Sequence, residues 1–373
     1  MTVWPGIRRS DTPPWQTGDM SPKGLAISLF SGAGGLDLGV EQAGFQVAAA
    51  VEVDLDAADT MEKNFHGLAS PVIGEDIREV STKELMKAAG LHGRERPDLL
   101  IGGPPCVAFS KSGFWLDWKR EGRDPAAGLL TAYTRVLREA RPRAFVFENV
   151  YALTYRNNQS RPWFDRLLAE VAEADYQFEW AVLNAADYGV PQLRPRVFVV
   201  GTRRGEKKPS LPLPTHGGRW ERRNTGNPER PHITAREAFK GLRTDPEPSE
   251  AVAGQWGHLL PDIPPGSNYL HYTKERGHHD PIFKWRSRYW NFLLKLDPKR
   301  PSPVIQARPG PYVGPFHWNN RRLRVPEIRR LFTFPDDFGF VGSRSSVQAQ
   351  LGNSVPPLLA QRVVERLTQK LSG

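Results

Sequence analysis

The sequence predicts an α/β fold with a mainly parallel sheet, followed by a smaller and irregular basic domain. Three observations lead there. Short apolar runs alternate with helical periodicity from Leu25 to Thr202. The first run ends in a glycine turn, Ser31-Gly32-Ala33-Gly34-Gly35, that opens a helix. Beyond residue 204 that alternation gives way to proline, glycine, tryptophan and basic residues.

Taken in order, residues 1–24 form a lead-in without periodicity. Leu25–Phe30 reads as a strand, and Leu36, Leu38, Val40 and Ala43 trace a helix stopped by Gly44. Glycines in such a turn let the backbone approach a ligand closely, as in nucleotide-binding units. Phe45–Val51 is a second strand ending in Glu52, about 20 positions past the turn, where such folds hold ribose hydroxyls. A helix through Met61 precedes a short third strand, Pro71–Ile73, which leads to Asp76 and Ile77. Asp76 is placed to accept a hydrogen bond from a base amino group. Ser81 and Glu84 have capping-box spacing, with Val80 and Leu85 as a hydrophobic staple, and that helix runs to Gly90.

Asp98–Ile101 is the fourth strand and leads into Gly102–Ser110, GGPPCVAFS. Residues 107–127 read as a loop in which Lys111, Lys119, Arg120 and Arg123 interleave with Phe114, Trp115 and Trp118, a pattern suited to phosphates and bases. Residues 129–140 carry one apolar helical face. Ala144–Phe147 is the fifth strand, running into Glu148-Asn149-Val150, and a helix spans about 162–172. Gln177–Leu183 and Arg196–Thr202 are close enough to pair antiparallel. Gln192, Arg194 and Arg196 alternate, so they share one face and point to an anion or polar ligand. A domain boundary falls near 204. Trp220, Trp256, Trp285 and Trp290 punctuate the basic region, and Ile233–Leu242 is its one short helix candidate. Gly352–Pro357 opens a terminal helix with Leu358, Leu359, Val363, Val364 and Leu367 on its apolar face.

Composition narrows the function classes. Cys106 is the single cysteine in 373 residues, so there is no internal disulfide and no cysteine-rich zinc site. His278-His279-Asp280 reads as a solvated loop, and no metal site is expected. The N-terminus lacks an apolar core of signal-peptide length, and no run approaches the roughly 18 apolar residues of a membrane span. A cytoplasmic, nucleoid-associated protein is expected. A net charge of +10 favours a polyanionic partner, nucleic acid first.

A lone cysteine can be an inert core residue. Here it follows a strand end, where ligands and chemistry collect in open α/β sheets. Glu148 and the Arg194/Arg196 pair stand at the ends of neighbouring elements. A thiolate, a carboxyl group and an arginine in one pocket suit nucleophilic catalysis on an electron-poor ring. The thiolate adds covalently, the carboxyl group stabilises charge developing in the ring, and the arginine orients a carbonyl oxygen.

At these residues the chain resembles the DNA (cytosine-5) methyltransferase family. The likeness covers residues 25–203 and 301–370, with motifs in the family's order. LFSGAGGLDLG is similar to the cofactor turn, VEVD to the ribose motif and EDI to the adenine motif. GGPPCVAFS resembles the nucleophile motif, FENV the glutamate motif, NAADYGVPQLRPRVFVVGTR the paired-arginine motif, and LGNSVPP the last one. Single matches of this kind are weak signals; the ordered set is specific.

The resemblance implies an S-adenosylmethionine-dependent methyltransferase (Rossmann-like) domain with a mainly parallel sheet, plus a smaller irregular target-recognition domain. Its expected bounds are a lead-in at 1–24, a catalytic and cofactor domain at 25–203, a recognition domain at 204–340 and a returning C-terminal helix at 341–373. It implies Cys106 as nucleophile, Glu148 on ring nitrogen 3 and the exocyclic amine, and Arg196 on the cytosine carbonyl with Arg194 in support. It implies S-adenosyl-L-methionine lined by Phe30, Ser31, Gly32, Gly34, Gly35, Leu36, Glu52, Val53, Asp76, Ile77, Pro105, Leu129, Asn353 and Val355. The base would be flipped out of the duplex, because its target atom is unreachable inside the stack. Double-stranded DNA is the implied partner, a monomer suffices, and a cognate restriction endonuclease is the implied companion of a restriction-modification setting. Alternatives are methylation of tRNA cytosine, a catalytically silent DNA-binding relative, and a small-molecule methyltransferase. The sequence departs from the family in Val107, where a polar amide is usual, in Phe332, where a glutamine is usual, and in a short recognition region.

Overall fold

The computed structural model describes residues 21–66, 68, 71–105, 125–155, 161–217, 230–243, 245–369 and 371. Its centre is a six-stranded sheet of β1 (Leu25–Leu29), β2 (Gln46–Val51), β3 (Leu99–Gly102), β4 (Ala144–Val150), β5 (Tyr176–Asn184) and β6 (Pro195–Arg203). The order is β2-β1-β3-β4-β6-β5. The pairs β1–β2, β1–β3 and β3–β4 are parallel. β6 inserts antiparallel to both β4 and β5. The mainly parallel α/β sheet expected from the alternating runs is therefore present.

Both faces of the inner strands are covered, which explains why β1 to β3 and the start of β4 are nearly all apolar, while the edge strand β5 is partly exposed. Ile27, Leu100, Phe145, Phe147, Val197 and Val199 belong to one core cluster with Tyr133, Val136 and Leu137 of α4 (Pro125–Ala140) and Phe164, Leu167 and Val171 of α5 (Arg161–Glu173). The alternate residues Ala26, Leu99, Ile101, Ala144, Val146, Phe198 and Val200 face a second cluster. There they meet Leu36 and Val40 of α1 (Gly35–Gln42), and Leu359, Val363, Val364 and Leu367 of α9 (Pro357–Thr368). Each leucine, isoleucine, valine or phenylalanine so withdrawn from water stabilises the fold by about 1.5–3 kcal/mol. The C-terminal helix thus completes the wall begun by the first helix.

Two elements differ from expectation. The strand at Pro71–Ile73 shrinks to one parallel bridge, Val51 to Ile73, closed by Ile73 N–H to Ala50 and Glu52 N–H to Ile73. Pro71 has no N–H to donate, so a longer ladder lacks a donor there. Helix α4 begins at Pro125 rather than 129, with proline in its first turn, where the missing N–H costs nothing. The Ser81/Glu84 capping box is formed at the start of α3 (Thr82–Ala88), and Val80 and Leu85 are both buried in the first cluster.

Among the described residues after β6 the chain makes short elements, β7 (His216–Gly217), β8 (Arg230–Pro231), α6 (Ala235–Ala238) and several single 3-10 turns, before α7 (Val325–Leu331) and α8 (Arg344–Asn353). A third cluster joins Ala58, Met61 and Phe65 of α2 (Leu55–Asn64) and its flank to Phe239, Ile328, Leu331, Phe334 and Leu351. A fourth gathers Leu259, Tyr269, Tyr272, Phe283, Phe292 and Phe316. Among the described residues, no helix is long and apolar enough to cross a membrane.

Candidate active site

The first strand delivers the chain into a turn that only unusual backbone conformations can make. Phe30, Gly32 and Gly34 all have positive φ, at 57°, 56° and 81°. For phenylalanine this region is sparsely populated, which marks a turn held by its surroundings. A Cβ on Gly34 would stand 2.4 Å from the Phe65 ring, and one on Gly35 2.3 Å from the Val355 carbonyl oxygen. The turn is therefore clasped between α2 and the C-terminal segment. On Gly32 the direction of a Cβ is open, with nothing within 4 Å.

Glu52 closes the same turn. Its Oε2 accepts from the Gly32 N–H at 2.7 Å and its Oε1 from the Asp54 N–H at 2.9 Å. Burial raises its pKa, and these hydrogen bonds work against the shift. Each oxygen retains a second lone pair for a hydroxyl donor. Ser31 is tied inward, its hydroxyl 2.8 Å from that of Ser28. Leu36, Ile77 and Val355 are buried, Leu129 is half-buried, and Val53, Pro105 and Asn353 are exposed. Open space over Gly32 beside a carboxylate with free lone pairs fits the adenosine part of S-adenosylmethionine. Asp76 is engaged differently from expectation. Both of its carboxylate oxygens receive the Arg78 guanidinium, at 2.9 and 2.5 Å, which holds its pKa down.

The second centre lies where β4 and β6 meet. Glu148 and Arg196 come from antiparallel neighbours, and Glu148 Oε1 stands 3.1 Å from Arg196 Nε. Burial raises the Glu148 pKa; Arg196 first, then Arg194, pull the other way. A carboxyl group so placed holds a proton more readily than a solvated one and can donate it to a ring nitrogen. Asn149 Nδ2 donates to the Pro104 carbonyl at 2.9 Å. A Cβ on Gly103 would lie 2.8 Å from Glu148 Oε2. The turn that leads into Cys106 is thus pressed against Glu148 and tethered by its neighbour. Cys106, Val107 and the basic-aromatic stretch through Arg123 lie outside the described residues.

Arg194 and Gln192 do not line an open face as the alternation suggested. Both are fully buried, and they precede β6 rather than belong to it. Arg194 Nη2 donates to the Gly352 carbonyl at 2.7 Å, and its guanidinium lies 4.9 Å from the Phe332 ring centre. Burial lowers its pKa. Its geometry is that of a brace between β6 and the LGNSVPP segment. Phe332, in place of the usual glutamine, supplies the ring on which that brace rests.

Two residues of the site escaped sequence reasoning. Asn149 was legible only as part of ENV; a polar residue at the end of a buried strand was its signal. Asp37, in the first turn of α1, is fully buried, and the loss of solvent outweighs what the neighbouring Ser28 hydroxyl offers its carboxylate. Nothing in the local pattern distinguishes it from an ordinary helix-start acid.

Comparison with known proteins agrees with this geometry. The family model for C-5 cytosine-specific DNA methylases matches residues 25–369. The Type II methyltransferase M.SacI of Streptomyces achromogenes is 47% identical over 92% of this chain and 93% of its own. The Type II methyltransferase M1.HphI of Haemophilus parahaemolyticus is 32% identical over 91% of this chain and 85% of its own. The crystal structure of a prophage-encoded protein from E. coli, described as a DNA modification methyltransferase, superimposes with a TM-score of 0.66 at 23% identity, covering 93% of this chain and 99% of that one. The Dnmt2 methyltransferase of S. pombe gives a TM-score of 0.59 at 15% identity over 92% and 98%. These two show the same methyltransferase fold. A family model spanning the sheet, the glycine turn and the returning C-terminal helix, with a close relative along nearly the whole chain, leaves one conclusion: the chain belongs to the C-5 cytosine-specific DNA methylase family and is a DNA cytosine-5 methyltransferase.

Proposed function

We propose that the protein methylates carbon 5 of a cytosine flipped out of double-stranded DNA, through a transient bond between Cys106 and cytosine carbon 6. The observation that carries this reading is the buried Glu148–Arg196 pair beside the turn that leads into Cys106. Arg196 orients the carbonyl oxygen at ring position 2. Glu148, its pKa raised by burial, gives a hydrogen bond or a proton to ring nitrogen 3. Arg194, two residues before Arg196, ties the start of β6 to the C-terminal segment without touching the base.

The thiolate of Cys106 forms the sulfur–carbon 6 bond, and the displaced electron pair passes through the ring to nitrogen 3, where Glu148 receives it with a proton. Carbon 5 becomes nucleophilic toward the methyl group that bound S-adenosylmethionine supplies. Nitrogen 3 then returns its proton to Glu148; water takes the proton from carbon 5, and the electron pair left behind forms the carbon 5–carbon 6 double bond, expels the thiolate and restores the aromatic ring. For the cofactor, Glu52 would take the ribose hydroxyls. Phe30, Ser31, Gly32, Gly34, Gly35, Leu36, Val53, Ile77, Pro105, Leu129, Asn353 and Val355 would complete its walls. Asp76, held by Arg78, would offer the adenine amine the remaining lone pair of Oδ2. We place the enzyme in the cytoplasm as a monomer, with residues 204–340 as the recognition region and a cognate restriction endonuclease as companion, in keeping with its Type II relatives.

Methyl transfer from labelled cofactor tests this. Label should enter duplex DNA and not tRNA, and Cys106→Ala should abolish it. A duplex carrying 5-fluorocytosine at the target should trap a protein–DNA adduct. A duplex that is methylated yet never trapped as the fluoro analogue refutes the covalent route.

A further inference from the structure

The short recognition region holds an anchored loop with outward-facing rings. Of residues 281–290, only Phe283 is buried, at 7% exposure, packed 5.1 Å from Trp256, 5.6 Å from Tyr269 and 5.7 Å from Phe292 between ring centres. The backbone on either side is fixed. The Tyr269 hydroxyl donates to the Arg288 carbonyl at 2.8 Å, and Asn268 Nδ2 to the Trp290 carbonyl at 2.6 Å. The Phe292 N–H donates to the Tyr289 carbonyl at 2.9 Å. On this frame Trp285, Tyr289 and Trp290 stand 38%, 78% and 64% exposed.

Their surroundings are cationic. The guanidiniums of Arg276 and Arg286 each lie 5.8 Å from the Trp285 ring centre, and that of Arg288 lies 5.8 Å from the Phe292 ring. All three arginines are exposed, and none is paired with a carboxylate among the described residues. Isolated exposed apolar residues need no explanation. Three rings on one tethered loop, interleaved with unpaired guanidiniums, do. An apolar protein surface would leave those charges desolvated and unpaired. A polyanion that also offers flat apolar faces satisfies both halves.

The geometry points to residues 282–290, with the adjoining Arg276, as a duplex-reading edge of the enzyme: Arg276, Arg286 and Arg288 take phosphates, and Tyr289 and Trp290 contact sugars and base edges in a groove. Phosphate contacts fix register and carry no sequence information; contacts in the groove do. The two parts therefore separate by experiment. The tethered backbone means that little conformational entropy is lost when the rings dock. This assignment rests on duplex DNA being the substrate.

The test uses the full-length enzyme, a duplex that the wild type methylates, and a scrambled duplex of equal length. Tyr289→Ala/Trp290→Ala should raise KM for the target duplex about tenfold or more. It should also narrow the preference for target over scrambled duplex, with kcat and S-adenosylmethionine affinity unchanged. Trp290→Phe, which keeps a ring, should recover most of the loss. Arg286→Gln/Arg288→Gln should weaken both duplexes equally and make the slope of log affinity against log salt shallower by about 2. Wild-type KM and salt slope in both double variants would overturn the assignment while leaving the methylation reading intact. Unchanged KM with altered sedimentation would instead reveal a protein interface and equally refute it. A wild type that labels only tRNA would fail the substrate reading first and this inference with it.

Discussion

Asp37 shows what one residue costs inside this fold. It is fully buried at the start of α1, and desolvation pushes its pKa from 3.8 up to about 7. Below pH 3.8 the carboxyl group is protonated folded or unfolded, and it imposes no penalty. Between pH 3.8 and 7 the unfolded chain ionises while the folded chain holds its proton, so stability falls as pH rises. Above 7 the loss is constant, on the order of a few kcal/mol. Asp37→Asn should therefore gain in melting temperature relative to wild type as pH is raised from 5 to 8. A difference between the two proteins that does not change with pH would refute the shift. Glu148 is raised by the same cause, but Arg196 at 3.1 Å limits the rise. Burial alone makes Asp37 a liability; burial beside an arginine makes Glu148 usable.

At the scale of elements, the crossing of α1 and α9 is a tight joint near the glycine turn. A Cβ on Gly39 would meet the Ala360 Cβ at 2.4 Å, the Gln361 backbone nitrogen at 2.6 Å and the Pro357 carbonyl oxygen at 2.6 Å. The helices approach as closely as they do because position 39 has no side chain. Gly39→Ala raises intrinsic helix propensity by up to about 1 kcal/mol, yet the backbone of α9 must shift to admit the methyl group. Overpacking of that kind costs about 1–3 kcal/mol. Urea unfolding should show net destabilisation, and cofactor affinity should drop because Gly35 and Val355 share the joint. A neutral or stabilised variant would show that α1 and α9 leave room for a methyl group at position 39.

At the scale of the molecule, a buried ionic network ties the region after β6 together. Arg321, fully buried, donates two hydrogen bonds to Glu327, at 2.6 and 2.9 Å. Arg324 grips Glu250 and also donates to the carbonyls of Arg243 and Asp245. His317, beside Glu327 at 3.7 Å, is driven down to about 3 by burial and by its arginine neighbours, so it is neutral at pH 7. Removing one member of a buried pair leaves the other charge uncompensated, at about 3–5 kcal/mol. Glu327→Gln should lower urea-unfolding stability by that order, whereas exposed Arg161→Gln, which breaks an i,i+4 pair with Asp165, should cost under about 1 kcal/mol. Equal effects of the two substitutions would refute a special role for the network.

The sequence by itself determined the sheet, the glycine turn and the family. Period-two apolar runs, the Ser81–Glu84 box and the ordered motifs from LFSGAGG to LGNSVPP are local patterns, and local patterns survive without knowledge of neighbours. Only the tertiary structure decided which of those residues meet. Gln192, Arg194 and Arg196 are equivalent by alternation, yet one reaches Glu148 and the other two are spent on the interior, because the Gly352 carbonyl and the Phe332 ring arrive from the far end of the chain. Asp76 looked free until Arg78 folded onto it. The region after 204 was opaque because its order comes from scattered aromatic contacts and long-range ion pairs rather than from any period. A contact between residues 321 and 327 inside a core, or between 194 and 352 across it, leaves no spacing to read: its partners are chosen by packing.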